Sequence, residues 1–331
     1  MRAVHLPAFG DPSVVPAFVD IPEPAAPGAG QVMIEVLYAP VNHNDLFVMG
    51  GNFPCHPELP AVLGNEGVGR VTATGSGVEH VKVGDLVTPP LYRGTWRERM
   101  LLQADELFAL PPDADLQQLA MIRINPLTAG LMLTEYVDLQ PGDWIVQNAA
   151  NSGVGRAAIA LAKARGVRSI NLVRRAELIA DIQAAGGDIV LVDEPGAAAK
   201  AAALVGKDNG KVRLALDGVA GAATARLIDF LSPGGAIVAY AGMSGDKTAP
   251  GDLMQLMFKS ISSHFFYQNR PQYKSKIPAL LREAALMVAS GQLHTPVART
   301  YRLSEVKAAI AHTLAGGKVL LDVAEAAASS N

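Results

Sequence analysis

The sequence predicts an α/β protein in which an irregular β-rich region is joined to a doubly wound parallel sheet. Three observations lead there: short Val-rich runs punctuated by proline in the first third, an alternation of apolar runs with Ala-rich stretches from about Met121, and a small-residue turn at 148–155. Strands that alternate with helices build parallel βαβ units, whose helices cover both faces of a sheet.

In chain order, runs at 32–37, 67–72 and 85–88 are bounded by turns such as Val83-Gly84-Asp85, the texture of a mostly antiparallel β region. The alternating region then pairs strand 144–147 with helix 154–165, 169–173 with 176–185, 189–192 with 196–205, 214–216 with 222–231, and 236–239 with 253–259. Mixed texture returns with a helix over 277–290, a strand over 297–301, a helix over 305–315 and a strand over 318–323, before a loose tail at 326–331.

At about 150 residues per domain, 331 residues suggest two domains. Hydrophobic residues are 50% and charged residues 18%, too apolar for intrinsic disorder, and no stretch approaches the ~18 uncharged apolar residues of a membrane span. A net charge of −3 gives no electrostatic reason for a nucleic-acid or membrane partner, so a small molecule is the expected one. The single cysteine, Cys55, excludes an intrachain disulfide, and with His56 it falls short of a closed metal site, so no metal is expected. The start of the chain lacks the apolar core of a secretory signal, and a cytoplasmic protein is expected.

The most informative segment is Gln147-Asn-Ala-Ala-Asn151-Ser152-Gly153-Val154-Gly155. A buried strand, a turn without bulky side chains and a helix N-terminus bring free N–H groups and the positive end of a helix dipole to one point, which suits a pyrophosphate. The strict G-x-G-x-x-G spacing is absent, since Ala150 and Ser152 stand where the first two glycines would fall. A serine-hydrolase elbow at Ser152 fails for want of glycine at 150 and 154. The next strand runs into Arg174 and Arg175 where an NAD site usually ends in an acid. A guanidinium binds a 2′-phosphate that a carboxylate would repel, so the cofactor is expected to be NADPH.

Together with that turn, Gly64-Asn-Glu-Gly-Val-Gly69, Val83-Gly84-Asp85, Asn125-Pro126-Leu-Thr128-Ala129 and Leu139-Gln-Pro-Gly-Asp143 resemble the medium-chain dehydrogenase/reductase superfamily. Within it they are most similar to the zinc-free branch of 2-enoyl thioester reductases and quinone oxidoreductases. The resemblance implies a GroES-like β-rich catalytic domain over 1–120 and 265–331, with a Rossmann domain over 121–264 inserted in it. It also implies NADPH in the cleft between them and, often, a homodimer formed through the Rossmann sheets. It places Asn125, Asn151, Ser152, Gly153, Val154, Arg174, Arg175, Tyr240, Gly242, Met243, Phe266, Tyr267 and Lys318 at positions resembling NADPH contacts. Thr128, near a helix start, could cap that helix or bind the nicotinamide carboxamide. Zinc members of the superfamily use a Cys and the His of a Gly-His-Glu turn; the similar positions here carry Asn42 or His43, and Asn65.

In the enoyl thioester reductases, a tyrosine in a Gly-Asn-Tyr segment is thought to protonate the α-carbon. Here the segment reads Gly51-Asn52-Phe53, and phenylalanine has no proton to give. Another donor could serve, with Tyr92 and Tyr267 the candidates by type; the acceptor could be a quinone or conjugated ketone, protonated from water; or the chain could bind NADPH as a sensor or structural module without turnover. Asn44 and Asp45 could orient a substrate carbonyl or hold their own loop, and His43 could relay a proton. The leading expectation is a zinc-independent NADPH-dependent reductase delivering hydride to a quinone or an activated double bond, with a 2-enoyl thioester reductase using a non-standard proton donor as the alternative.

Overall fold

The structure is a computed structural model that describes every residue except 55, 207–209, 247, 250 and 325–331. The expectations for Cys55 and for the 326–331 tail therefore lie outside the described residues. The chain divides into two units, Met1–Ile124 with Leu281–Asn331, and Asn125–Leu280.

The first unit opens with β1 (Arg2–Leu6), β2 (Ala17–Asp20), β3 (Gln31–Val41), α1 (His43–Met49), β4 (Ala61–Val62), β5 (Val68–Thr74), β6 (Leu86–Thr88), β7 (Arg99–Gln103), β8 (Phe108–Ala109) and the one-turn α2 (Leu116–Leu119). Val32, Ile34 and Val36 lie on one fully buried face of β3, and that strand pairs antiparallel with β5 and β7. α1 occupies a stretch whose Asn-His-Asn-Asp composition reads as a turn. It forms because the Asp45 carboxylate, in the helix's first turn, accepts the Asn42 N–H at 2.7 Å.

The second unit runs α3 (Asn125–Glu135), β9 (Trp144–Gln147), α4 (Gly153–Ala164), β10 (Arg168–Val173), α5 (Ile179–Ala184), β11 (Ile189–Val192), α6 (Ala197–Val205), β12 (Val212–Asp217), α7 (Ala222–Phe230), β13 (Ala236–Ala239), α8 (Leu253–Phe258) and β14 (Ser262–Phe265). The six strands are all parallel, in the order β11-β10-β9-β12-β13-β14. This is the Rossmann sheet. Its order reverses between β9 and β12, and ligands of such sheets bind outside the carboxyl ends of the strands at that point. Near-continuous apolar runs fit strands covered on both faces, and Val146, Ile170, Leu214 and Val238 are all buried.

After α9 (Ile277–Ala289) the chain adds β15 (Val297–Arg302), α10 (Val306–Ala315) and β16 (Lys318–Asp322) to the first unit, where β16 pairs antiparallel with β3. Leu303, Ile310 and Val319 complete the core built on Ile34 and Trp96. The return to the first unit falls at Leu281 and not at 265. β14 extends the parallel sheet beside β13, and Ile277 and Leu280 pack with Leu127 and Leu131, which holds 265–280 to the second unit. Among the described residues no helix is long and apolar enough to cross a membrane.

Candidate active site

The turn of the second unit is built for close approach. Ala149 takes a left-handed φ of 48°, and Ser152 caps α4 by accepting the Gly155 N–H at 3.1 Å. A Cβ on Gly153 would lie 2.4 Å from Asn125 Nδ2, so glycine lets the Asn125 amide reach the turn. The carboxyl ends of β9 and β12 are tied by Asn148, whose amide donates to Asp217 Oδ1 at 2.7 Å and accepts the Gly218 N–H at 2.7 Å. Asp217 also accepts Val219 N–H at 3.0 Å, Ala220 N–H at 2.9 Å and the Thr224 hydroxyl at 2.5 Å. Above this pair the Tyr240 hydroxyl is buried and lacks a hydrogen bond of good geometry. Burial, against a contact with the Ser152 hydroxyl and with the Asp217 carboxylate reinforcing it, raises the phenol, which stays a donor. Arg174 and Arg175 follow β10 directly, both exposed.

These groups fit a dinucleotide phosphate. The first N–H groups of α4 have no intrahelical acceptor by helix geometry, the buried Tyr240 hydroxyl beside Ser152 supplies a donor, and two guanidinium groups stand at the strand end where a 2′-phosphate is held. The Thr128 hydroxyl donates to Gln268 Oε1 at 3.1 Å, and Asn269 Nδ2 donates to the Tyr267 hydroxyl at 3.4 Å. Gly242 and Met243 are exposed beyond β13, and the Met243 N–H donates to Gly218 C=O at 3.1 Å. The Phe266 ring turns inward onto Tyr273, at 5.7 Å between centroids. Asn148 and Asp217, which organise this end of the sheet, were not singled out from sequence. The available signal was an amide and an acid, each closing an apolar strand.

In the first unit the structure gathers Asn42, Asn44, Asp45, Asn65, Glu66, Arg123 and Lys318. Glu66 is fully buried, accepting Asn42 Nδ2 at 2.9 Å on one oxygen and the N–H groups of Arg123 (3.0 Å) and Ile124 (2.9 Å) on the other. The Arg123 guanidinium reaches the Thr88 hydroxyl at 3.2 Å. The Lys318 ammonium donates to Asn42 Oδ1 and lies beside Glu66 and Asp45 within the first unit. Burial pushes the Asp45 carboxyl up to about 7, against the Asn42 N–H, and raises Glu66. Desolvation and the Lys318 ammonium hold the His43 imidazole below its ordinary value.

Next to this cluster lies Phe53, whose ring packs on Tyr92 with centroids 5.7 Å apart and planes inclined by 37°. Tyr92 has a left-handed φ of 61°, and its N–H donates to Asn65 C=O at 3.1 Å. Of the predicted catalytic residues, Asn44, Asp45, Phe53 and Tyr92 therefore belong to the first unit, and Tyr267 to the second.

Comparison with known proteins agrees with both halves. Residues 28–112 match the alcohol dehydrogenase GroES-like domain family, and residues 170–319 match the zinc-binding dehydrogenase family. The mitochondrial enoyl-[acyl-carrier-protein] reductase of Bos taurus is 36% identical over 319 residues, covering 94% of this chain and 84% of that protein. The chain belongs to the medium-chain dehydrogenase/reductase superfamily. Among solved structures, this reductase is similar to the Etr1p/NADP/crotonyl-CoA complex, with a TM-score of 0.88, 26% identity, and 97% and 99% of the two chains covered. It is also similar to the quinone oxidoreductase of Escherichia coli complexed with NADPH, with a TM-score of 0.82, 26% identity, and 97% and 100% covered. As a medium-chain dehydrogenase/reductase it is an NADPH-dependent oxidoreductase, with a GroES-like domain and a Rossmann sheet.

Proposed function

We propose that the protein is a zinc-independent 2-enoyl thioester reductase in which Tyr92 gives the proton that phenylalanine at 53 cannot. The observation that carries this reading is the Phe53–Tyr92 ring pair. It supplies a phenol beside the position at which the resemblance expects one. The left-handed backbone of Tyr92 supports it, because a bulky residue held there costs on the order of 1–3 kcal/mol, and such strain gathers at functional sites. The similarity to enoyl-[acyl-carrier-protein] reductases over most of the chain supports the acceptor class. NADPH, when bound, supplies the hydride. Asn125, the 151–154 turn, Tyr240 and the two arginines bind and orient it, and the Tyr92 hydroxyl holds the proton destined for the α-carbon.

The amides of Asn42 and Asn65 support zinc-independence, since neutral carboxamides are poor zinc ligands. Among the described residues no group of three or more His, Cys, Asp or Glu is placed to hold a metal. Elemental analysis of the active enzyme, with stoichiometric zinc as the contrary result, tests this. A quinone is the second acceptor, favoured by Phe53 itself, because a reduced quinone oxygen takes its proton from water. Following NADPH consumption with crotonyl-CoA, an enone and a quinone in parallel separates the readings. Tyr92→Phe is expected to lower crotonyl-CoA turnover on the order of 10²- to 10⁴-fold, the range for a lost general acid. Wild-type turnover of quinone without thioester would overturn the first reading in favour of the second.

The assembly in this reading is a homodimer. β14 is one of the two edge strands of the parallel sheet, and Met257, Phe258 and Phe265 are 60%, 78% and 61% exposed on α8 and β14 of the same unit. An open edge with apolar neighbours invites pairing with another chain. A monomeric mass in solution at micromolar concentration would exclude it. Fractionation of cells expressing the full chain tests the expected cytoplasmic location.

A further inference from the structure

Polar atoms withdrawn from water are nearly always hydrogen-bonded, and each exception asks for a reason. Several buried side-chain atoms of this protein lack a partner, and three of them belong to one cluster of the first unit: Asn44 Oδ1, Asp45 Oδ1 and Asn65 Nδ2. Asp45 and Asn65 are 1% and 5% exposed. The cluster is framed by hydrogen bonds. The Asn65 C=O takes the Tyr92 N–H, and Asp45 Oδ2 takes the Asn42 N–H. Its backing is already satisfied, since Asn42 is spent on Glu66 and Lys318, and Glu66 on the Arg123 and Ile124 N–H groups. The frame is complete, and these three atoms are what it leaves without a partner.

We propose that Asn65 Nδ2 and Asp45 Oδ1 hold the carbonyl oxygen of the acceptor, making Asn65 a catalytic residue of this reductase. The inference rests on the enoyl thioester reading above. When hydride, one proton with two electrons, adds to the β-carbon, the carbon–carbon π pair moves toward the carbonyl, whose oxygen becomes an enolate oxygen. The enolate then re-forms its carbonyl as the α-carbon takes the Tyr92 proton, and water returns a proton to the phenolate. Charge therefore grows at the carbonyl oxygen and nowhere else in the acceptor. A fixed donor aimed there stabilises the transition state more than the ground state. The Asn65 amide donates at every pH. Asp45 donates as the neutral acid, the form that burial and the Glu66 carboxylate favour and that the Lys318 ammonium opposes; His43 and Arg123 are the other ionisable groups of the cluster. A single water could also satisfy the three atoms, and that is the outcome that overturns the proposal.

The test uses the full chain with NADPH and crotonyl-CoA, reading kcat, KM and, by fluorescence, the Kd for NADPH. Asn65→Ala is expected to lower kcat/KM on the order of 10²-fold, as loss of one oxyanion donor does, with the NADPH Kd within twofold of wild type. Asn65→Asp, which puts an acceptor where a donor is needed, is expected to lose more than alanine at pH 8. A kcat/KM within threefold of wild type for Asn65→Ala means that the atoms serve only a water. Equal losses in NADPH affinity and thermal stability mean that Asn65 serves only the fold. Should the variants fail to fold, wild-type binding decides: butyryl-CoA is expected to compete at least tenfold better than S-butyl-CoA, which lacks the carbonyl, and equal competition refutes the carbonyl site. Wild-type protein that does not turn over crotonyl-CoA refutes the thioester reading itself, a result visible before any variant is made.

Discussion

Asp217 and Asp45 are both buried aspartates, at 0% and 1% exposure, and they are treated in opposite ways. Asp217 sits at the carboxyl end of a strand with an amide, two backbone N–H groups and a hydroxyl all donating to it. Asp45 sits in the first turn of a short helix with Glu66 for a neighbour and one oxygen without a partner, and its carboxyl rises to about 7. Burial is common to both, and the supply of donors differs. The first aspartate organises a loop; the second keeps one oxygen without a partner.

The largest expected effect breaks the satisfied side. Asp217→Ala strands the Asn148 amide, two N–H groups and the Thr224 hydroxyl, and at about 1–3 kcal/mol for each buried unpaired group a loss of at least ~3 kcal/mol in denaturant unfolding is expected. A change below about 1 kcal/mol would mean that the loop repairs itself with water. Next comes the unsatisfied side. Lys318→Met leaves Glu66 and Asp45 without their nearest cation, at a cost of about 3 kcal/mol near pH 8. Carboxyls raised above their unfolded values stabilise fully below about pH 4 and lose that contribution as pH rises through the folded value, near 7 for Asp45. The deficit of the variant relative to wild type should therefore shrink as pH is lowered from 8 to 4, and a deficit independent of pH would contradict the cation's role. The smallest effect leaves stability alone. Arg174→Ala with Arg175→Ala should lower the preference for NADPH over NADH about 10- to 100-fold, as loss of charged hydrogen bonds worth about 1.5–3 kcal/mol predicts. Equal losses for both nucleotides would refute the 2′-phosphate role.

The same contrast explains what the sequence made legible. The Rossmann turn is written locally: an apolar strand, small residues and an apolar helix follow within twenty residues, and each constraint is covalently near the next. β14 escaped because Ser262-Ser-His-Phe265 has no apolar run, and only the parallel pairing with β13 makes it a strand. α1 escaped because Asn, His and Asp are turn formers, and the helix depends on one carboxylate reaching back three residues. The contact of Lys318 with Asn42 escaped for a related reason: 276 residues separate the two, and no local pattern reports a contact of that span. Asn148 and Asp217 were present in the sequence as an amide and an acid closing their strands, yet their pairing across the point where strand order reverses is a property of the sheet.

The packing of Phe53 on Tyr92 bears on how such enzymes diverge. The two rings are in contact, with centroids 5.7 Å and planes 37° apart, so a hydroxyl on either belongs to the same pair of rings. Under the reading in which Tyr92 is the acid, a lineage can pass through a form carrying both phenols before losing one, so the group would relocate in the chain without a stage at which the acid is missing. In a family read column by column, such a move registers as loss of function. In space it is a displacement of one ring's width.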